Sequence, residues 1–396
     1  MSGDGKIQLK SETTIPVVED YLNSIAASPL QNVQLPSKPI RSAGMGGESA
    51  LIQFLLTWAR NNPEGNVITP FQLGNAEGEA HSLKHLSSRA YSFVAMLAAG
   101  NVLAADSTTS IRMKTNHACS LRVDKMAKGL QKAAFGHRTF LACVDHSTKA
   151  FIPAFYFADG AIRNRSEFSD LAEDVLMSRA AAFTRDRIRP ATRQGLGLLL
   201  YELIKNTHDW GRTGVDNVPL RPSIRGLLFT RLNIILKGAL TSAGGNPSLE
   251  AYVTSLGRRS RDEYVRFLEL SVFDSGPGLA SRWLKTPLSD DVTTEQELAA
   301  CFDCLTKHKT TSGASSRGLG LYDVMRTLNE LKAFIRLRTG RLALFRDFIS
   351  SPLNVEEKAD GPTLYDWNSA SPEPTRLAPS TGTLFTIVIP LLEERL

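Results

Sequence analysis

Cysteine is scarce in this chain. Four in 396 residues are too few for the disulfide frame of a small secreted scaffold. Cys301 and Cys304 are spaced Cys-x-x-Cys with His308 nearby. No second pair of matching spacing completes a zinc site, so both read as buried structural thiols on an amphipathic helix. Long apolar runs are missing as well: Ser92 to Ala105 is broken by Gly100 and Asn101, short of the roughly 20 residues that span a bilayer. The opening Met1-Ser-Gly-Asp-Gly-Lys6 has no apolar signal core. No strong excess of one charge is present either, the net charge being +6. The basic stretches Arg258–Arg261 and Arg185–Arg189 lack the interleaved aromatics of a nucleic-acid surface and read as solvated faces, with nucleic acid a secondary possibility. These absences describe a cytoplasmic chain without a membrane segment, long enough for two domains with sizeable cores.

Three segments stand out from this background. In Gly195-Leu-Gly-Leu-Leu-Leu-Tyr-Glu-Leu-Ile-Lys-Asn-Thr-His-Asp209, the residues Leu198, Leu199, Leu203 and Ile204 recur at helical spacing. Glu202 and Asn206, one turn apart, then share a face, with Asp209 close to it. A carboxylate and a carboxamide on a rigid helix suit an oxygen-rich ligand held through a hard cation such as Mg²⁺. The bland alternative is a solvated helix face. His208, in the same run, is expected to face solvent.

The second segment, Phe267 to Phe273, alternates as a strand and ends at Asp274-Ser-Gly276-Pro-Gly278. The glycines allow close approach of a planar ligand, and an aspartate at a strand end can accept from an exocyclic amine such as that of adenine. An ordinary strand-to-helix turn would look the same. The third is Gly313-Ala-Ser-Ser-Arg317-Gly318-Leu319-Gly320-Leu321, which feeds a helical pattern. Its backbone N–H groups and the helix dipole favour an anion, but it matches neither a Walker loop nor a dinucleotide fingerprint.

Together with a closing Gly382-Thr383-Leu-Phe-Thr-Ile-Val-Ile-Pro390 strand, these ordered motifs give residues 186–396 a sequence that resembles the GHKL superfamily of ATP-binding domains (gyrase, heat-shock chaperone, histidine kinase, MutL). The resemblance implies a Bergerat-type α/β sandwich, with helices on one face of a mixed sheet and Mg²⁺ and ATP as cofactors. It assigns Asn206 to Mg²⁺, Glu202 to orienting the attacking water, and Asp209 to support of the pocket. Asp274 would read the adenine amine beside Gly276 and Gly278. Gly313, Arg317, Gly318, Leu319, Gly320 and Leu321 would form the lid over the phosphates, and Thr383 would support the adenine network. Trp210 and Gly211 depart from the pattern, and the phosphoacceptor segment of true histidine kinases is absent.

Slow ATP hydrolysis as a conformational switch is the implied activity. The rivals are a Ser/Thr or His protein kinase of the anti-sigma or sensor type, and a non-hydrolysing ATP-gated module. Residues 1–45, with Pro16, Pro29, Pro36 and Pro39, are expected to form an extended or partly ordered arm. Residues 46–185 are expected to form a small α/β domain that engages a protein partner, with a homodimer as a further option. Helices are predicted at Leu51–Asn62, Ser82–Ala99, Ser169–Arg185 and Pro247–Leu256. Strands are predicted at Thr139–Asp145, Ala150–Phe157 and Ser223–Ile235, with a hairpin over Ala333–Phe348 turning at Gly340 and an exposed insertion over Ser351–Thr381.

Overall fold

Near the N-terminus the computed structural model sets four three-residue strands side by side, all parallel: β1 (Lys6–Gln8), β2 (Asn32–Gln34), β3 (Asn66–Ile68) and β4 (Asn101–Leu103), in that order. It describes residues 5–391 apart from 39, 41–44, 130–132, 136–137, 148–149, 178–188, 261–262, 307–319 and 355–362. Parallel neighbours need crossovers, supplied by α1 (Ile15–Ala27), α2 (Gly47–Asn61) and the pair α3 (Ala76–Ser88) and α4 (Ala90–Ala98). Val33, Val67 and Val102 fill the middle of the sheet and are fully buried.

Residues 5–38 therefore form two strands and a helix rather than an extended arm. Pro16 sits in the first turn of α1, where a missing N–H is no loss, and Val18, Leu22 and Ile25 bury one stripe. The predicted helix over Ser82–Ala99 is two helices, split at Arg89, whose φ of −92° and ψ of 133° are extended. The predicted strand at Ala150–Phe157 is a set of turns, tied by a single bridge between Tyr156 and Ile162.

The second sheet has eight strands: β5 (Ala134–Phe135), β6 (Arg138–Val144), β7 (Ile224–Ile235), β8 (Tyr264–Phe273), β9 (Phe334–Gly340), β10 (Leu342–Asp347), β11 (Tyr365–Asp366) and β12 (Ser380–Pro390). Their order is β11-β10-β9-β12-β8-β7-β6-β5, and every adjacent pair is antiparallel rather than mixed. β6 precedes the expected boundary at 185/186 but pairs with β7 along its whole length, so the sheet crosses that boundary. The hairpin turns at Gly340, where φ is +53°. Part of the insertion is not exposed: β11 extends the sheet, and Trp367 is buried.

Helices cover both faces of this sheet, not one. Glu269, Ser271, Thr386 and Arg336 share a face by register, and that face meets α2. The Gly46 N–H donates to Glu269 Oε1 at 3.1 Å, and Ser271 Oγ donates to Ser49 Oγ at 2.9 Å. Every residue of α2 from Gly47 to Ala59 is buried, as expected for a helix enclosed between layers. Glu19 of α1 forks onto Arg338, with Oε1 3.1 Å from Nε and Oε2 3.1 Å from Nη2, and reaches Arg336 at 3.1 Å. The opposite face carries Leu270, Val272, Phe385 and Ile387. It is covered by helices of the later chain, among them α7 (Pro190–Trp210), which lies on α6 (Arg165–Met177). Among the described residues no helix is long and apolar enough to cross a membrane.

Candidate functional site

Leu196, Leu199, Leu200, Leu203 and Ile204 bury one side of α7, and the helix stops at Gly211. Glu202 rides on this stripe and is only 8% exposed. A buried carboxylate needs a partner, and Arg165 at the start of α6 supplies it through Nη2. On its other side Glu202 meets the N-terminus of α12 (Gly320–Leu331), where a Cβ added to Gly320 would lie 2.6 Å from Glu202 Oε2. Asn206, one turn on, is half-buried and hydrogen-bonds no other described residue through its side chain. Asp209 pairs with Lys205 of its own helix.

His208 does not face solvent as expected. Its Nδ1 lies 3.0 Å from the Tyr156 hydroxyl, and its ring packs near Phe151. Burial, reinforced by Arg225 and Arg212, pushes it down to about 4, so it is neutral at pH 7. Arg225 in turn forks onto Asp145, with Nε 3.0 Å from Oδ2 and Nη2 2.9 Å from Oδ1, and lies over the Tyr156 ring.

β8 delivers Asp274 at its end, 7% exposed. Burial pushes this carboxyl up to about 6, against the pull of the Gly276 and Thr383 backbone and of Arg225 and Arg282. The Gly276 N–H donates to Asp274 Oδ1 at 2.7 Å. Gly278 has a φ of +87°, which its lack of a side chain permits. β12 closes the site: Asp274 N–H donates to the Thr383 carbonyl at 3.1 Å, Gly382 N–H to the Gly276 carbonyl at 2.8 Å, and the Thr383 and Thr339 hydroxyls lie 3.4 Å apart.

Two close approaches join these pieces. Gly211 at the end of α7 abuts Asp274, and Arg282 Nη2 donates to the Trp210 carbonyl at 3.0 Å. Glu202, Asn206 and Asp209 are thus carried on a helix whose C-terminus touches the Asp274–Gly278 turn, which Thr383 holds from its other side. Gly320 and Leu321 begin α12, with Leu321 buried. Gly313, Arg317, Gly318 and Leu319 lie outside the described residues. Arg165, Thr339 and Arg60, whose Nη2 holds the Pro222 and Ser275 carbonyls at 2.7 and 3.0 Å, were not singled out from sequence. No local pattern marks an arginine whose partner is remote in the chain.

Cys301 is buried on α11 (Thr294–Leu305), and Cys304 is half-buried there. Among the described residues no group of three or more His, Cys, Asp and Glu could hold a metal ion. The donor set around Asn206 therefore fits only a cation that brings most of its own oxygen ligands. No family model matches the chain, and neither a curated protein nor a solved structure matches it.

Proposed function

We propose that the site formed by α7 and the Asp274–Gly278 turn binds Mg·ATP in the manner of the GHKL superfamily, in a Bergerat-type arrangement, and hydrolyses it slowly as a conformational switch. The observation that carries this reading is the contact of Gly211 with Asp274. It joins the Glu202/Asn206 helix to a buried carboxylate flanked by glycines, which is what a purine with a polyphosphate tail requires.

In this reading Asp274 accepts from the adenine amine, while Gly276 and Gly278 leave room for the ring. Thr383 and Thr339 hold the turn from β12 and β9. Asn206 would hold the Mg²⁺, which when bound neutralises phosphate charge. Glu202 would orient a water toward the terminal phosphate as general base. Its engagement with Arg165 keeps this carboxylate occupied, which accords with slow turnover.

Glu202→Gln tests the assignment. It keeps shape and hydrogen bonding but removes basicity, so ATP affinity should stay within about threefold while turnover falls roughly 10²–10⁴-fold. Wild-type turnover in Glu202→Gln would place the base elsewhere. Label transferred from ATP to a protein instead of released phosphate would make the domain a kinase.

A further inference from the structure

Arg165 lies outside the half of the chain that carries the ATP-binding motifs, yet it reaches the centre of the site. Its Nη2 contacts Glu202 Oε1 and lies 3.5 Å from Asp323 Oδ2, and its guanidinium sits 5.5 Å from the Tyr201 ring centre. It therefore bridges α7 to the first turn of α12. Its side chain is 55% exposed where that of Glu202 is 8% exposed, so it enters from solvent and can change partner without a large desolvation penalty.

We propose that Arg165 senses the terminal phosphate: it holds Glu202 in the nucleotide-free protein and passes to the γ-phosphate when ATP enters. The inference rests on the Mg·ATP reading above. The two carboxylates that Arg165 bridges belong to the two helices that flank the phosphate end of the proposed site. A guanidinium fork matches phosphate oxygens as well as it matches carboxylate oxygens. The γ-phosphate carries more charge than Glu202 and is absent from ADP, so the exchange is specific to ATP. The exchange also frees Glu202 to accept from a water, coupling arrival of the right nucleotide to readiness of the base. Lys205 is already paired with Asp209, and Arg326 lies 3.6 Å from Asp323 and 4.0 Å from Glu330 of its own helix. Among the described residues, that leaves Arg165 as the cation in contact with Glu202.

The test is calorimetric titration of the full chain and of Arg165→Ala, Arg165→Lys and Glu202→Gln with Mg·ATP and Mg·ADP separately. Losing one charged hydrogen-bond pair to phosphate should weaken ATP binding of Arg165→Ala roughly 10–100-fold, with ADP within about threefold. Arg165→Lys should recover part of the loss, because it keeps the charge but not the fork. Glu202→Gln, whose neutral amide holds Arg165 more weakly than the carboxylate does, should bind ATP as well as the wild type or up to a few-fold tighter. Equal losses for ATP and ADP in Arg165→Ala, or no loss for either, would overturn the sensor while leaving the ATP site intact. A wild-type chain that binds neither nucleotide would overturn the ATP reading itself, and the sensor with it.

Discussion

Gly211 and Asp274 lie so close that a Cβ added to Gly211 would sit 2.7 Å from the Asp274 Cβ. The same atom would be 2.7 Å from the Thr207 carbonyl oxygen, so it is blocked by backbone as well as side chain. The φ of Gly211 is −91°, a value that any residue adopts, so close approach alone demands glycine here. Gly211→Ala should therefore destabilise the fold by about 1–3 kcal/mol through overpacking and push the Asp274 carboxylate out of position. Denaturant unfolding together with nucleotide titration checks both. An alanine variant of wild-type stability and affinity would show that the helix end and the turn are not coupled.

Asn206 is half-buried, and its side chain hydrogen-bonds no other described residue, so its removal should leave stability nearly untouched. Affinity is another matter. Asn206→Ala or Asn206→Asp should weaken Mg·ATP binding by roughly 10²-fold, and the loss should shrink when Mg²⁺ is chelated. Titration with and without chelator separates metal-linked binding from base recognition.

Two titrating groups beside the site pull in opposite directions. Asp274 is raised by burial to about 6 from 3.8, so the folded state binds more protons than the unfolded state between these values. Its contribution to stability is complete below about pH 4 and is lost as pH rises through 6. His208 is lowered by burial to about 4 from 6.5, so its contribution is complete above pH 6.5 and is lost as pH falls through 4. The slopes oppose each other between pH 4 and 6. Asp274→Asn should make the chain more acid-sensitive over that range, and His208→Gln should make stability fall as pH rises across it. Thermal melts at half-unit pH steps resolve the two. Parallel pH curves in wild type and both variants would rule out buried titration at these positions.

Elements with their own periodicity were legible in the sequence: α7, β7, β8, α9 (Pro247–Arg259) and the hairpin at Gly340. The parallel strands were not, since three residues are too few to show alternation. α1 was hidden because its proline was read as a breaker when it occupies a helix's first turn. The place of β6 depended on pairing with a strand some eighty positions away, which no local pattern encodes. At the site, Glu202 and Asp274 could be found because each ends or rides on a patterned element. Arg165 and Arg225 could not, because their carboxylate partners lie 37 and 80 residues distant. Glu297, fully buried with Arg341 at 2.7 Å, was invisible for the same reason.

The most direct measurement is calorimetric titration of the full chain with Mg·ATP, Mg·ADP and Mg·GTP, beside Asp274→Asn. The account predicts one saturable site per chain for both adenine nucleotides and much weaker binding of GTP, which offers a carbonyl where adenine offers an amine. In Asp274→Asn, ATP and ADP should weaken alike, by about 1–3 kcal/mol. No binding of ATP, equal binding of GTP, or an Asp274→Asn variant that binds ATP as the wild type does would contradict it.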